Sequence, residues 1–448
     1  MTDKIPDHVV NTLNTLNGAG YEGYLVGGCV RDCLLGRAPG DWDIATNALP
    51  EQVKACFAGQ RVIESGIKHG TVTVLPDGHP VEITTYRVDG AYSDHRRPDA
   101  VTFSANLRDD LSRRDFRMNA MAFHPNEGSI DPFHGQADIW DHKISCVGDP
   151  GTRFREDALR ILRAARFASV LGFSIEPETA AAMEQLAPLL RHVSAERVCV
   201  ELSKACTGPA FADVLSAHRQ MFTQIIPELA PMFAFGQHSK YHHLDVFEHT
   251  VEAVRNADPD REIRLTMLLH DAGKPHVFTR DKQGSGHFYG HEAESADIAD
   301  RVLTRLRFDN LTRRTVTELV RVHDMPLKTD NAFLCRKLNR HGPDLLQKLL
   351  RVQRADTLAH APAWHNGRIE NLQAVSQMLA QILDERQVFA LKNLAVKGND
   401  LLAIGYSPGQ GIGIALERLL NLVIDGSVPN DREILLVKAR QWKEDGGI

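Results

Sequence analysis

The sequence predicts an α+β fold: a mixed β-sheet region first, then helices through to the C-terminus. Three features predict it. Short β-patterned runs crowd residues 22–147, separated by glycine and proline turns. From about residue 150 the apolar spacing becomes helical and stays so. No internal repeat or low-complexity tract breaks either part.

Taken in order, MTDKIPDHVVNTL is polar and reads as the opening of an amphipathic helix rather than a signal peptide. GYLVGG is a short strand running into a glycine turn. CVRDCLLG fits one short helix ended by Gly36. DWDIAT is a second strand, with Asp41, Asp43 and Ala45 on one face and Trp42 and Ile44 on the other. TVTVL and PVEITTY flank Pro76-Asp77-Gly78-His79, a hairpin signal. DGAYSDHRRPDAV is polar, rich in turn formers and reads as a mobile loop. Beyond it, REDALRILRAARFASVLGF has helical periodicity, and SAERVCVELSKACTG forms a helix with Ser194 as N-cap and Gly208 at its end. The expected domains are 1–140, 141–225, 226–335 and 336–448.

A chain of 448 residues has room for about three domains. Charged residues make up 25% and hydrophobic ones 43%, as in ordinary globular proteins. No apolar run is long enough to span a bilayer, so no membrane role is expected. The 7 cysteines are scattered, which argues against a disulfide framework and for a reducing cytoplasm. Cys29 and Cys33 have no second pair, so no zinc site is expected there. The net charge of −6 excludes a uniformly basic nucleic-acid binder. A binder needs only a local positive face, however, and arginines cluster at 96–97, 113–117 and 153–166.

The segment LVGGCVRDCLLGRAPGDWDIAT concentrates the chemistry. Two aspartates at i and i+2 of a strand point the same way, and like charges that close call for a cation. Magnesium takes hard carboxylate oxygens together with substrate phosphates. Glu82, in VEITTY, supplies a third carboxylate if its strand lies beside Asp41 and Asp43. Gly27 and Gly28 let backbone N–H groups approach a triphosphate, and Arg31 balances phosphate charge. Alone, Asp-x-Asp reads as a polar edge strand; the Gly-Gly turn and Arg31-Asp32 ahead of it favour the metal reading.

That segment resembles the signature of the class II tRNA nucleotidyltransferase and bacterial poly(A) polymerase family. The resemblance implies a polymerase-β-like nucleotidyltransferase head, an all-α neck, a further helical domain and a helical tail. It implies transfer of nucleotides from CTP and ATP to a tRNA 3′ end, with Mg2+ on Asp41 and Asp43 and with Glu82 as the third carboxylate. Gly28 and Arg31 would touch the nucleotide. LSRRDFRMNAMA resembles a further family segment and assigns Arg114 and Asp115 to triphosphate and ribose; Arg117 and Met118 depart from the usual threonine and isoleucine. IDPFHGQADI resembles a turn that supports the sheet. DGAYSDHRRPDAV resembles the flexible loop of members that add the terminal adenosine.

In REDALRILRAAR, a helix makes Asp157 and Arg160 neighbours at i and i+3. Together they offer acceptors and a fork of donors for the Watson–Crick edge of a base. The resemblance assigns them that role for C and A, with Arg163 and Arg166 nearby for phosphate. Arg197 and Glu201 match another family segment and are expected to brace the neck helices.

Between residues 241 and 326 lie YHHLDVFEHT, LTMLLHDAGKP, GHFYGHE and LVRVHDMP. His270 and Asp271 end an apolar helical run, which suggests paired metal ligands. His249 and Asp324 complete a site, and His291 and His323 extend it to two metals. This pattern resembles the His-Asp (HD) metal-dependent phosphohydrolase superfamily and implies a second divalent metal. That site is either hydrolytic, on phosphomonoesters or cyclic phosphodiesters, or structural. Further on, Pro408, Gly409, Gly411 and Gly413 precede a helical run, either as a phosphate-binding turn for RNA or as a tight inter-helix turn.

The expected function is template-independent addition of CCA to tRNA, with tRNA, CTP and ATP as partners and no DNA. The alternatives are a poly(A) polymerase, a CC-only or A-only enzyme, or, in another class, a metal phosphohydrolase with an RNA-binding head.

Overall fold

The computed structural model describes residues 2–67, 70–90, 101–239 and 241–445. The chain divides into two units, Met1–Ala230 with Arg305–Arg307, and Pro231–Thr304 with Phe308–Ile448.

The first unit is built on the expected mixed sheet. Its strands are β1 (Gly23–Val26), β2 (Asp43–Thr46), β3 (Val62–Ile63), β4 (Thr71–Val74) and β5 (Val81–Thr85). A separate pair follows, β6 (Arg87–Asp89) and β7 (Val101–Phe103), then β8 (Ala122–His124) and β9 (Gly128–Ile130). The main sheet runs in the order β3-β4-β5-β2-β1-β8-β9. Only β2 and β5 pair in parallel within it; the other neighbours are antiparallel. Leu25, Ile44, Ile83 and Val72 stand opposite one another across four strands, and all are fully buried. On the other face Tyr24, Val26 and Ala45 pack with Tyr86, Leu111 and Ala122. Burial on both faces pins the register, because a one-residue slip would exchange the two apolar sets.

The hairpin at Pro76–Gly78 joins β4 to β5 as expected. The short helix Gly28–Leu34 follows the Gly27 turn, and Gly36 adopts φ 73° just past its end. Strand β2 starts at Asp43, two residues later than expected, although Glu82 N–H still reaches the Trp42 carbonyl at 3.3 Å. The expected loop DGAYSDHRRPDAV falls between β6 and β7, and its residues 91–100 lie outside the described residues. In IDPFHGQADI, the Asp131 carboxylate accepts the Gly135 and Gln136 N–H groups at 2.7 and 2.9 Å. A side chain at Gly135 would overlap the Arg117 carbonyl, so the turn packs directly beneath Arg117–Asn119.

The neck departs from expectation. REDALRILRAARFASVLGF forms two helices, Pro150–Glu156 and Leu159–Leu171, broken at Asp157 with φ −138° and ψ 103°. The Asp157 carboxylate accepts the Leu159 N–H at 3.1 Å. An aspartate's local bond to backbone competes with continuing a helix, and here it wins. Leu159–Leu171 packs along the helix Ala195–Cys206. Ser194 occupies the N-cap position of the latter but makes no side-chain cap bond. Gly208 serves packing rather than capping, since a Cβ there would overlap Ser169 on the neighbouring helix.

The second unit is predominantly helical, and no described helix is long and apolar enough to cross a membrane. Several of its helices start on aspartates. Asp245 and Glu248 form a reciprocal capping box at Val246–Asn256, with bonds of 2.7 and 3.2 Å. Asp260 caps Arg261–Leu269, and Asp309 caps Asn310–Val322. These caps fix where the helices begin and so which residues their ends deliver inward: His249 one turn in, His270 and His323 just past the last turn.

Gly208→Ala should destabilise the first unit by about 1–3 kcal/mol through overpacking against Ser169. Gly59→Ala, which meets nothing within 4 Å, should change stability by less than about 0.5 kcal/mol. Chemical denaturation of both variants decides; equal stability would remove the packing role assigned to Gly208.

Candidate functional site

The parallel pairing of β2 and β5 sets Asp43 directly opposite Glu82. Asp41 lies two residues upstream, outside the ladder. Asp41 and Glu82 are exposed, while Asp43 is half-buried. Burial pushes the Asp43 carboxyl up to about 6; the Arg114 guanidinium opposes this, and the Glu82 and Asp41 charges add to it. Among the described residues, the groups of three or more metal-type ligand atoms that converge within 4.8 Å all lie elsewhere, in the histidine-rich region. The head carboxylates therefore share a neighbourhood without forming a closed cage. Three hard oxygen donors, one unfavourable in its charged form, fit a divalent cation that keeps water and substrate in its shell.

Arginines face this acidic edge at the glycine turn. Gly27 has φ 76°, and a Cβ there would lie 2.7 Å from Arg114 Nη1. Glycine thus solves two problems: the left-handed backbone and the close guanidinium. Gly28 opens the next helix, 3.8 Å from Arg31 Nη2 by the same measure. Arg114 is held by Asp110 at 3.1 Å, and Arg113 takes the other oxygen of Asp110 at 2.7 and 3.0 Å. Asp110 is fully buried; burial works against its charge, but the two guanidinium groups hold its carboxyl below the ordinary range.

Arg31 donates to Asp32 at 2.8 and 2.9 Å and to Asn119 Oδ1 at 2.7 Å. Asn119 passes the link on, donating to Asp115 Oδ1 at 3.0 Å. The other Asp115 oxygen receives Arg163 at 2.6–2.7 Å. Glu201 Oε2 then lies 2.6 Å from Arg166 Nε, an ion pair without a well-directed hydrogen bond, and Oε1 lies 3.6 Å from Arg163. Burial opposes the Asp115 charge, yet Arg163 and Asn119 hold that carboxyl well below the ordinary range. Arg31, Arg163 and Arg166 all surround the Phe167 ring, at 5.0, 5.5 and 3.9 Å from its centroid.

Asp157 and Arg160 do not form the side-by-side helical pair expected of them, because the helix breaks at Asp157. Arg197 binds both Asp157 oxygens, at 3.1 and 2.7 Å. Arg160 instead bonds Glu156 at 2.6 Å and the carbonyls of Arg153 and Arg113 at 3.3 and 2.9 Å. Of the two residues expected to brace the neck, Glu201 joins its helices, and Arg197 ties the helix Ala195–Cys206 to the Asp157 break.

Comparison with known proteins follows this geometry. Residues 23–145 match the family described as "Poly A polymerase head domain", residues 172–233 match "Probable RNA and SrmB-binding site of polymerase A", and residues 293–439 match tRNA nucleotidyltransferase domain 2. The chain is 52% identical over 203 residues to the CCA-adding enzyme of Geobacillus thermodenitrificans, a match that spans about half that relative, 50% of its length. It is 48% identical to the CCA-adding enzyme of Limosilactobacillus fermentum over 427 residues, 95% of this chain and 94% of that one. This chain belongs to the CCA-adding enzyme family. Its fold also matches the crystal structure of the Bacillus stearothermophilus CCA-adding enzyme in complex with CTP. That match has a TM-score of 0.71 and 31% identity, and covers 99% of this chain and 100% of that one.

This member of the CCA-adding enzyme family carries a second constellation in its other unit. Four histidines donate through Nδ1 to backbone carbonyls: His249 to Ala359 (3.2 Å), His270 to Met267 (2.7 Å), His291 to Phe288 (2.9 Å) and His323 to Val320 (2.7 Å). A carbonyl can only accept, so each Nδ1 carries a proton, and each Nε2 offers its lone pair to an ion only when the ring is otherwise neutral. Those Nε2 atoms surround Asp271. His270 and His249 lie 3.3 and 3.6 Å from its Oδ2, and His291 and His323 lie 3.6 and 3.9 Å from its Oδ1. Carbonyl-tied imidazoles about a shared carboxylate are a donor set that could hold divalent ions.

The last ligand position is a correction. Asp356, on the helix Pro343–Ala359, approaches His249 at 2.9 Å and His270 at 3.4 Å. Asp324 is exposed and lines two cavities beside the cluster, of 770 and 290 Å³, without joining the converging ligand atoms. The sequence places Asp324 beside His323, but the end of that helix turns adjacent side chains in different directions. Lys274 Nζ lies 2.7 Å from Asp271 Oδ2, yet neither Asp271 oxygen accepts a well-directed hydrogen bond. Burial works against a charged His270, but Asp271 and Asp356 hold its pKa up to about 10. A proton there balances the carboxylates, and a divalent cation would displace it. Asp356, Asn119, Asp110 and Phe167 escaped the sequence reading. Only Asp110 left a local signal, with Arg113 and Arg114 at i+3 and i+4.

Asp43 titrates above its ordinary value of 3.8. Its effect is therefore a loss of stability as pH rises through about 6, and no effect where the carboxyl is protonated folded and unfolded. Asp43→Asn should raise the metal-free melting temperature at pH 8, with the gain vanishing toward pH 4. Calorimetry in chelator across that range would show it, and a pH-independent difference would contradict it. In the second centre, Asp356→Ala should reduce bound divalent metal measured by elemental analysis, while Asp324→Ala should not.

Proposed function

We propose that this chain adds C, C and A to the 3′ end of tRNA, using CTP and ATP. The observation that carries this reading is the pairing of Asp43 with Glu82 beside the Arg114-lined Gly27 turn, in a chain matched by CCA-adding enzymes over 95% of its length. Asp41, Asp43 and Glu82 would hold Mg2+. Bound there, such ions activate the RNA hydroxyl and neutralise charge on the leaving pyrophosphate. Arg31 and Arg114 bind the triphosphate at the glycine turn. Asp115 is already engaged by Arg163, Asn119 and the Phe116 N–H, so it positions Arg163 instead of meeting the ribose directly.

Base choice falls to Asp157 and Arg160. Cytosine and adenine both present an exocyclic amino donor next to a ring-nitrogen acceptor; uracil and guanine reverse this. A reversed base leaves buried groups unpaired, at about 1–3 kcal/mol each. The Bacillus stearothermophilus relative in complex with CTP supports the nucleotide assignment. The cytoplasm is the proposed compartment, supported by 7 cysteines that are all free thiols.

A second reading applies to the histidine centre. His249, His270, Asp271 and Asp356 would hold one divalent ion, and Asp271, His291 and His323 another. The bridging Asp271 and the carbonyl-tied histidines favour hydrolysis of phosphomonoesters or cyclic phosphodiesters by activated water.

Sizing the products on tRNA lacking its 3′ end tests the main reading. CTP alone should add two residues, and CTP with ATP three. Long homopolymers from ATP alone would overturn it. Asp41→Ala should lower incorporation by about 10²–10³-fold or more while leaving tRNA affinity nearly unchanged.

A further inference from the structure

The geometry points to Arg197 as a positioning residue for base selection: it restricts Asp157 to a single open acceptor. This rests on the nucleotide-adding reading above and names the group that sharpens it.

An ionised carboxylate offers about four acceptor directions, two on each oxygen. On Asp157, Oδ1 takes Arg197 Nη1 at 3.1 Å and the Leu159 N–H at 3.1 Å, while Oδ2 takes Arg197 Nη2 at 2.7 Å. Among the described residues this leaves one direction, on Oδ2. Arg160 is narrowed in the same way. Of its five N–H donors, two on Nη1 go to Glu156 and the Arg153 carbonyl, and one on Nη2 goes to the Arg113 carbonyl. The Nε–H and one Nη2–H remain.

The unspent groups are thus one acceptor and two donors. Cytosine brings N4–H to the acceptor and N3 to a donor; adenine brings N6–H and N1. Uracil and guanine set O4 or O6 against the Asp157 oxygen and an N–H against the guanidinium. The rejection depends on Asp157 being unable to turn. The two-pronged Arg197 bond and the Leu159 N–H remove its rotation, and they occupy the directions with which a free carboxylate would accept the N3–H of uracil. Asp157 and Arg197 are mostly covered, with side chains 16% and 27% exposed, so solvent screens the bond only in part. A bidentate fork gives directional control that a single ammonium does not.

The test is steady-state incorporation of each of the four nucleotides into tRNA lacking its 3′ end, by wild type, Arg197→Ala and Arg197→Lys. Arg197→Ala should lower the CTP-over-UTP ratio of kcat/KM by about tenfold or more, with KM for tRNA within about twofold of wild type. Arg197→Lys keeps the charge but not the fork and should fall between the two. A uniform loss for all four nucleotides would reduce Arg197 to a brace of the neck and overturn the inference. Should Arg197→Ala fail to fold, Arg197→Lys decides, and an unchanged ratio overturns it. A wild-type protein that adds neither C nor A would instead sink the nucleotide-adding reading itself, and this inference with it.

Discussion

One alternating run of carboxylate and guanidinium groups joins the glycine turn to the neck: Asp32, Arg31, Asn119, Asp115, Arg163, Glu201, Arg166. Its central members are buried. Removing one partner from such a chain costs about 3–5 kcal/mol, because the other charge is left without compensation. An apolar replacement of the whole run would be easier to bury but would not aim anything. Here the run orients three arginines around Phe167 and ties down the neck helix Leu159–Leu171, which carries Arg160. The helix after the glycine turn is thereby tied to the neck helix by bonds of 2.6–3.0 Å rather than by loose packing.

The two acidic centres tolerate like charge in different ways. In the head, Asp41 and Glu82 remain in water, and only Asp43 bears a desolvation cost, seen in its upward shift. Such an open set suits hard ions that arrive with their own water and a triphosphate. In the histidine centre, Asp271 is taken fully out of water and Asp356 mostly so, and they are balanced by His270 and Lys274. The imidazole tautomers there are set by backbone carbonyls at the ends of capped helices, so the site is organised before any ion arrives. The cavity in front of it also contains His242, whose two ring nitrogens are buried without a hydrogen-bond partner among the described residues.

Much of the fold was legible because its signals are local. Gly27, Gly36 and Pro76–Gly78 mark turns, and alternating apolar residues mark strands. The closeness of Asp43 and Glu82 was legible too, since it needs only their two strands to pair, although Asp41 lies just before its strand rather than on it. The errors share one cause. Asp157 lies in a helix-like sequence, yet its side chain gains more by capping the next helix. Asp324 is adjacent to His323, yet the helix end sends it outward while Asp356 arrives from a helix that begins 20 residues later.

The sequence by itself determined the strand and helix types, the apolar faces and the residue types able to bind phosphate or metal. These follow from periodicity, turn chemistry and charge, all of which act over a few residues. Only the tertiary structure decided which charges meet: Arg197 with Asp157, Asn119 between Arg31 and Asp115, Asp356 with His249. A guanidinium or carboxylate binds equally well to many partners, so its choice is made by whichever helix packing brings within about 3 Å.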